Sequence, residues 1–303
     1  MDKTIEWLLQ GDVSVQYMTQ RWLLDADEAR LSQLQSRIAL EGFGARFLSC
    51  QSPDGHWGTH YYQPKWTSTH YTLLDLQSLC APRSLQPCRD IITRMFDQCM
   101  RADGSLNLAK SDLPGDVCVD GMALNYSAYF CADETRLPRL ADRLLSAQKA
   151  DGGFAWDTGS QAGDPHTTLC VLEGLGRFLR TGLDNRQSDV KAAGKKAVHF
   201  LLSKKLYMDD RDSRFFKLSF PYRYRYDLLR ALECFAGQGI PYDTRMLEAL
   251  KWLQGKRRSD GMWYLENTHK GNVHFMMEEP RQPSRFITVK ALRILRHYGA
   301  DIG

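Results

Sequence analysis

The chain has 303 residues, with 40 Lys and Arg against 36 Asp and Glu for a formal charge of +4. Hydrophobic residues at 43% and charged residues at 25% are ordinary globular usage and exclude a disordered or low-complexity chain. The small, evenly spread charge argues against nucleic acid as a partner, and no apolar run of about 18 residues argues for a membrane span.

The opening segment, MDKTIEWLLQ, has no cationic stretch leading into an apolar one, as a secretory leader would. Its 8 cysteines are scattered without a Cys-x-x-Cys pair. In a cytoplasmic protein, the expected location, they read as small buried apolar residues.

In chain order, Ile5–Gln10 and Asp12–Leu23 read as an irregular first helical hairpin. The apolar stretch 46–50 then runs into Gln51-Ser-Pro-Asp54-Gly55-His-Trp57, and a second apolar helix is expected over 68–79. The same order recurs three times. Stretch 94–100 leads to Asp103-Gly104 and a helix over 119–130, and stretch 143–148 leads to Gln148-Lys-Ala-Asp151-Gly152-Gly-Phe154 and a helix over 164–175. Stretch 251–255 leads to Asp260-Gly261-Met-Trp263 and a helix over 284–295. The Asp-Gly turns are spaced by about 50 residues, and the last gap is about double, so one turn has been lost. It falls near 203–209, ahead of a further helix over 224–235.

Asp-Gly is a turn signal because Gly accepts positive φ and Asp bonds its own backbone. Aromatic residues just after it can pack beneath the turn. With few alternating β-type runs, the class is all-α. Six helix pairs at this period form an open solenoid or a closed ring. Closure is favoured because the second helices carry no strongly polar face and must be buried all round.

These Gln-x-x-Asp-Gly-x-Trp/Phe turns, Gln51 to Trp57 and Gln148 to Phe154 with Asp260-Gly261-x-Trp263 as a partial third, resemble the QW-type repeats of the terpenoid cyclase and protein prenyltransferase superfamily. The resemblance covers nearly the whole chain. It implies an all-α, α6–α6 barrel (an α/α toroid) over residues 1–303 as a single domain.

In such a ring the inner helices all begin at one end, where their positive dipole ends favour an anion. The repeat places Lys65, Trp66, His70, Asp116, Cys118, Asp120, Asp164, His166, Tyr222, Tyr224, Arg225 and Arg285 there. Aromatic and basic residues at a cavity mouth suit a hydrophobic small molecule with an anionic head group. Asp116 and Asp164 also fit helix N-caps.

The resemblance implies two chemistries. Asp164-Pro-His166-Thr167-Thr168 resembles the Asp-x-Asp-Asp-Thr motif of class II cyclases, with His166 in place of the central acid. His166, Asp120, Asp164 and His70 are then the candidate proton-transfer groups. Lys65, Tyr222, Tyr224, Arg225 and Arg285 would hold an anionic group, and Trp66 would wall the cavity. Asp116-Val-Cys118 with His166 resembles the zinc ligands of protein prenyltransferases, with an open fourth position. The acidic runs 25–28 and 209–212 read as solvated surface rather than Mg²⁺-diphosphate motifs.

The expected function is a small-molecule enzyme catalysing cyclisation, isomerisation or group transfer, with no cofactor required. The alternatives are a zinc-dependent transferase and a ring that binds a ligand without chemistry.

Overall fold

The computed structural model describes residues 2–183 and 186–299. Among these the architecture is all-α. Thirteen helices run in chain order: α1 (Lys3–Leu9), α2 (Val13–Trp22), α3 (Glu28–Ile38), α4 (Gly42–Ser49), α5 (Thr69–Ser78), α6 (Gln86–Cys99), α7 (Val117–Phe130), α8 (Leu137–Ser146), α9 (Pro165–Phe178), α10 (Gln187–Ser203), α11 (Leu228–Gln238), α12 (Leu247–Gly255) and α13 (Arg285–Tyr298).

Their burial sorts them into two layers. All residues of α7 are buried, as an inner helix packed on every side requires. In contrast, α8 buries one stripe, Leu137, Leu140, Ala141 and Leu144, at the spacing of a helix lying on the outside of a core. The inner layer is α2, α5, α7, α9, α11 and α13. From α5 to α13 its neighbours follow the chain, α4 bridges α2 and α5, and α13 packs back on α2. The Arg296 guanidinium donates to the Trp22 carbonyl at the end of α2 at 2.9 Å, and Arg285 Nε donates to the Trp7 carbonyl at 3.1 Å. The ring is closed: an α/α toroid.

The repeat turns are built alike. Asp54, Asp103, Asp151 and Asp260 each accept the backbone N–H two residues on, at 2.9, 3.0, 3.0 and 3.0 Å. The following Gly sits at φ +83, +84, +87 and +84°, left-handed backbone that disfavours any side chain. Trp57 and Trp263 lie beneath their turns and donate Nε1–H to the outer-helix carbonyls of Phe47 (2.6 Å) and Leu253 (2.8 Å). At the lost fourth turn the backbone is left-handed at Lys205, Leu206 and Tyr207 instead.

A threonine near the start of an inner helix completes most units. Thr69, Thr168 and Thr288 Oγ1 accept the backbone N–H of Trp57, Phe154 and Trp263 at 3.1, 2.9 and 3.0 Å. Each then donates to the same residue's carbonyl at 3.2 to 3.3 Å. In the second unit the position equivalent to the aromatic is Leu106, and its N–H goes to Asp120 Oδ1 at 2.9 Å. Asp120 thus occupies the place of that threonine.

Candidate active site

The two ends of the ring differ. At the inner-helix N-termini, long loops fold over the axis and fill it. Trp66, at φ +75°, donates Nε1–H to the Lys270 carbonyl at 2.7 Å and ties the first loop to the last. Its ring stacks on Tyr224 at 6.0 Å, with the Lys65 ammonium over both rings at 4.7 and 4.8 Å. Arg225 lies over Tyr224 at 5.7 Å. Lys65, Trp66, Tyr224 and Arg225 therefore do come together, but within a plug. The expected mouth is closed by its own aromatic residues. The segment 222–226, expected to open an inner helix, is loop, and α11 begins only at Leu228. Arg285 stands apart at the ring closure, over the Trp7 ring at 4.5 Å.

The expected proton-transfer groups also sit at this end, and none of them lines the central cavity. Asp164 is the N-cap of α9, accepting from Thr167 N–H and Oγ1–H at 2.8 Å each. His166 Nδ1 accepts the Tyr226 N–H at 2.8 Å, and burial holds its pKa below the usual histidine value against the attraction of Asp164. Accepting that N–H requires an unprotonated Nδ1. His70, 1% exposed, is pushed down to about 3 by burial. Asp120, fully buried, is pushed up to about 7 by burial, with the Leu106 N–H and then Arg143 opposing.

The suggested zinc set does not fit a metal. Asp116 Oδ1 caps α7, accepting from Cys118 and Val119 N–H at 2.8 and 3.3 Å. The Cys118 thiol is hydrogen-bonded to Cys170, and its pKa is well above the usual range. Among the described residues no three His, Cys, Asp or Glu side chains gather within ligating reach of one point.

The open cavity lies in the other half of the ring, with a volume of about 590 Å³, ample for a small-molecule ligand. Tyr222 and Arg223, from the plug, form its floor; of the expected ligand-binding residues only Tyr222 reaches it. Its wall comes from the C-terminal halves of the inner helices. Exposed Arg21, Arg83 and Arg180 mark its rim, so it opens at the C-terminal end. Trp22, Leu74, Tyr129 and Tyr222 give it apolar surface.

The expectation that the inner helices lack a polar face is overturned here. Arg230 holds Glu173 bidentately at 2.9 and 2.7 Å, and Lys290 holds Glu233 at 2.6 Å. Arg223 Nη2 stands 3.6 Å from Asp75 Oδ2, outside hydrogen-bond distance. These charges survive burial because each has an opposite partner inside the ring. Burial opposes the charge on Glu233, but Lys290 and Arg293 outweigh it and hold its pKa below the usual range. Asp75, 1% exposed, is the exception: burial dominates, and Arg223 only limits the rise to about 6. Its Oδ2 has no hydrogen-bond partner. The sequence signal for this site was present as single charges inside apolar helices, Asp75 within Thr-Leu-Leu-Asp-Leu-Gln above all.

No protein-family model matches the chain, and no curated protein matches it. Among solved structures it is similar to the type II terpene cyclase MstE from Scytonema in its apo form. The identity is 16%, over 88% of this chain and 98% of that one, with a TM-score of 0.35. It is also similar to a variant of that enzyme in complex with merosterolic acid A, its product, at 14% identity over 87% and 96% of the two chains with a TM-score of 0.34. No helix among the described residues is long and apolar enough to cross a membrane.

Proposed function

We propose that the protein is a small-molecule enzyme that carries out cyclisation, isomerisation or group transfer by proton transfer inside the ring. Asp75 is its acid–base group. The observation that supports this is the Asp75 carboxyl: buried in the cavity wall, with a free Oδ2 and a pKa raised to about 6. A carboxyl poised near neutral pH gives up and regains a proton readily. In the protonated state Oδ2–H donates its proton to an alkene carbon or carbonyl oxygen of the substrate. The carboxylate left behind faces the Arg223 guanidinium, which stabilises it. Removal of a proton from a neighbouring carbon of the cationic intermediate restores the acid, so the reaction is balanced without an oxidant or reductant. Trp22, Tyr129 and Tyr222 supply ring faces for the apolar part of the substrate and for a cationic intermediate.

Native mass spectrometry of the protein from its own host, followed by incubation with host extract, tests this reading. The expected result is a bound small molecule and a metabolite conversion that is lost in Asp75→Asn. Conversion equal in the wild type and the variant would overturn it.

A further inference from the structure

Among the described residues, the cavity is lined by more cationic side chains than carboxylates. Eight cationic side chains and three carboxylates line it. Glu173 and Glu233 are paired with Arg230 and Lys290, and Asp75 faces Arg223 at 3.6 Å. Among the described residues, Arg21, Arg83, Arg177, Arg180 and Arg293 have no carboxylate within ion-pair distance, an excess of five positive charges in one cavity of a chain whose formal charge is +4.

These guanidiniums are positioned rather than loose. Arg83 and Arg177 lie over the Tyr129 ring at 5.3 and 5.1 Å, and Arg293 over Trp22 at 4.3 Å. Arg21 donates to the Tyr17 hydroxyl at 2.8 Å, and Arg180 to the Gly237 carbonyl at 2.6 Å. Burial is the main reason the pKa of Arg177 falls to about 10, with Arg180 and Arg83 adding to it. The negative ends of the inner-helix dipoles offset part of that repulsion, but each supplies only about half a charge. They do not neutralise a cluster whose donors are aimed at ring faces and into a cavity.

We infer that the ligand is a polyanion, a small molecule bearing phosphoryl or several carboxyl groups, clamped by Arg83, Arg177, Arg180 and Arg293 at the C-terminal end of the ring while its apolar part reaches toward Asp75. Arginine suits this because its planar fork binds phosphate and carboxylate oxygens bidentately. The inference rests on the proposed function for the direction in which the ligand lies, but its binding term stands by itself.

Isothermal titration calorimetry with inorganic pyrophosphate and with citrate tests it on the full chain. The expected result is saturable one-to-one binding of at least one of them, weakened by added salt. Arg83→Gln and Arg180→Gln, both at exposed positions, should each weaken it about tenfold, as should Arg177→Gln, whereas Arg30→Gln, an exposed arginine outside the cavity, should not. Tighter pyrophosphate than citrate would assign phosphoryl groups, and the reverse carboxylates. No saturable binding of either, or equal loss in Arg30→Gln, would overturn the inference. Failure here with an intact Asp75-dependent conversion leaves the proposed function standing. Anion binding without any such conversion sinks the proposed function alone.

Discussion

Asp75 on α5 and Arg223 in the plug loop face each other at 3.6 Å across the cavity floor, and both are buried. The separation is short enough for attraction and too long for a hydrogen bond. It leaves the carboxyl free to hold a proton that a directly bonded guanidinium would drive off. Replacing Asp75 with Asn should lower turnover by about 10²- to 10⁴-fold, the usual contribution of a positioned acid or base, while leaving anion binding intact.

Arg223 sets where that acid titrates. Wild-type activity that needs protonated Asp75 should fall as the pH rises through about 6. Arg223 lowers the pKa of Asp75, so in Arg223→Gln the fall should move to higher pH. A pH–rate profile of both proteins checks the direction, and a shift to lower pH would contradict the assignment.

Asp120 makes a different pH-dependent contribution. Its folded pKa, about 7, lies above the ordinary aspartate value of 3.8. The stability it contributes is therefore fully present below about pH 4 and is lost as the pH rises through 7. Asp120→Asn keeps an oxygen for the Leu106 N–H and removes the ionisation. The melting temperature of the variant relative to wild type should rise between pH 5 and pH 8. His70 and His269, whose folded values are lowered by burial, act in the opposite direction but are common to both proteins.

The contact between α7 and α9 depends on two glycines. A Cβ on Gly174 would stand 2.4 Å from the Gly121 carbonyl oxygen, and one on Gly121 would stand 2.8 Å from the Val171 nitrogen. Backbone cannot yield as a flexible side chain can. Gly174→Ala should cost about 1–3 kcal/mol or more by overpacking, read as a lowered denaturation midpoint. Gly182→Ala, with nothing near its Cβ, differs in kind: it strains only its own φ of +75°.

The threonine that clamps three of the turns gives a fifth test. Thr168→Val keeps the shape but strands the buried Phe154 N–H, which should cost about 1–3 kcal/mol. Thr168→Ser should restore most of it, and chemical denaturation of the pair reads the difference.

Much of the ring was legible in the sequence. Asp54-Gly55, Asp103-Gly104, Asp151-Gly152 and Asp260-Gly261 are local turns whose bonds run between residues two apart, so they can be read without the fold. The helices between them follow from apolar spacing, and the expected spans differ from the observed ones by a few residues, most at α11 because Tyr222–Tyr226 folds into the plug. Asp116 and Asp164 were legible as N-caps for the same local reason.

What the chain determined by itself is the repeat: turn chemistry, helix periodicity and the number of hairpins, all set by interactions within a few residues. Tertiary structure alone decided which end of the ring is open. Trp66 must meet Lys270, 204 residues away, to close one end. Asp75, Arg177 and Arg293 become neighbours of one cavity only when α5, α9 and α13 curl round a common axis. A lone charge in an apolar helix has no sign of its purpose until the opposite wall is in place, because its energy depends on partners that the sequence holds far apart.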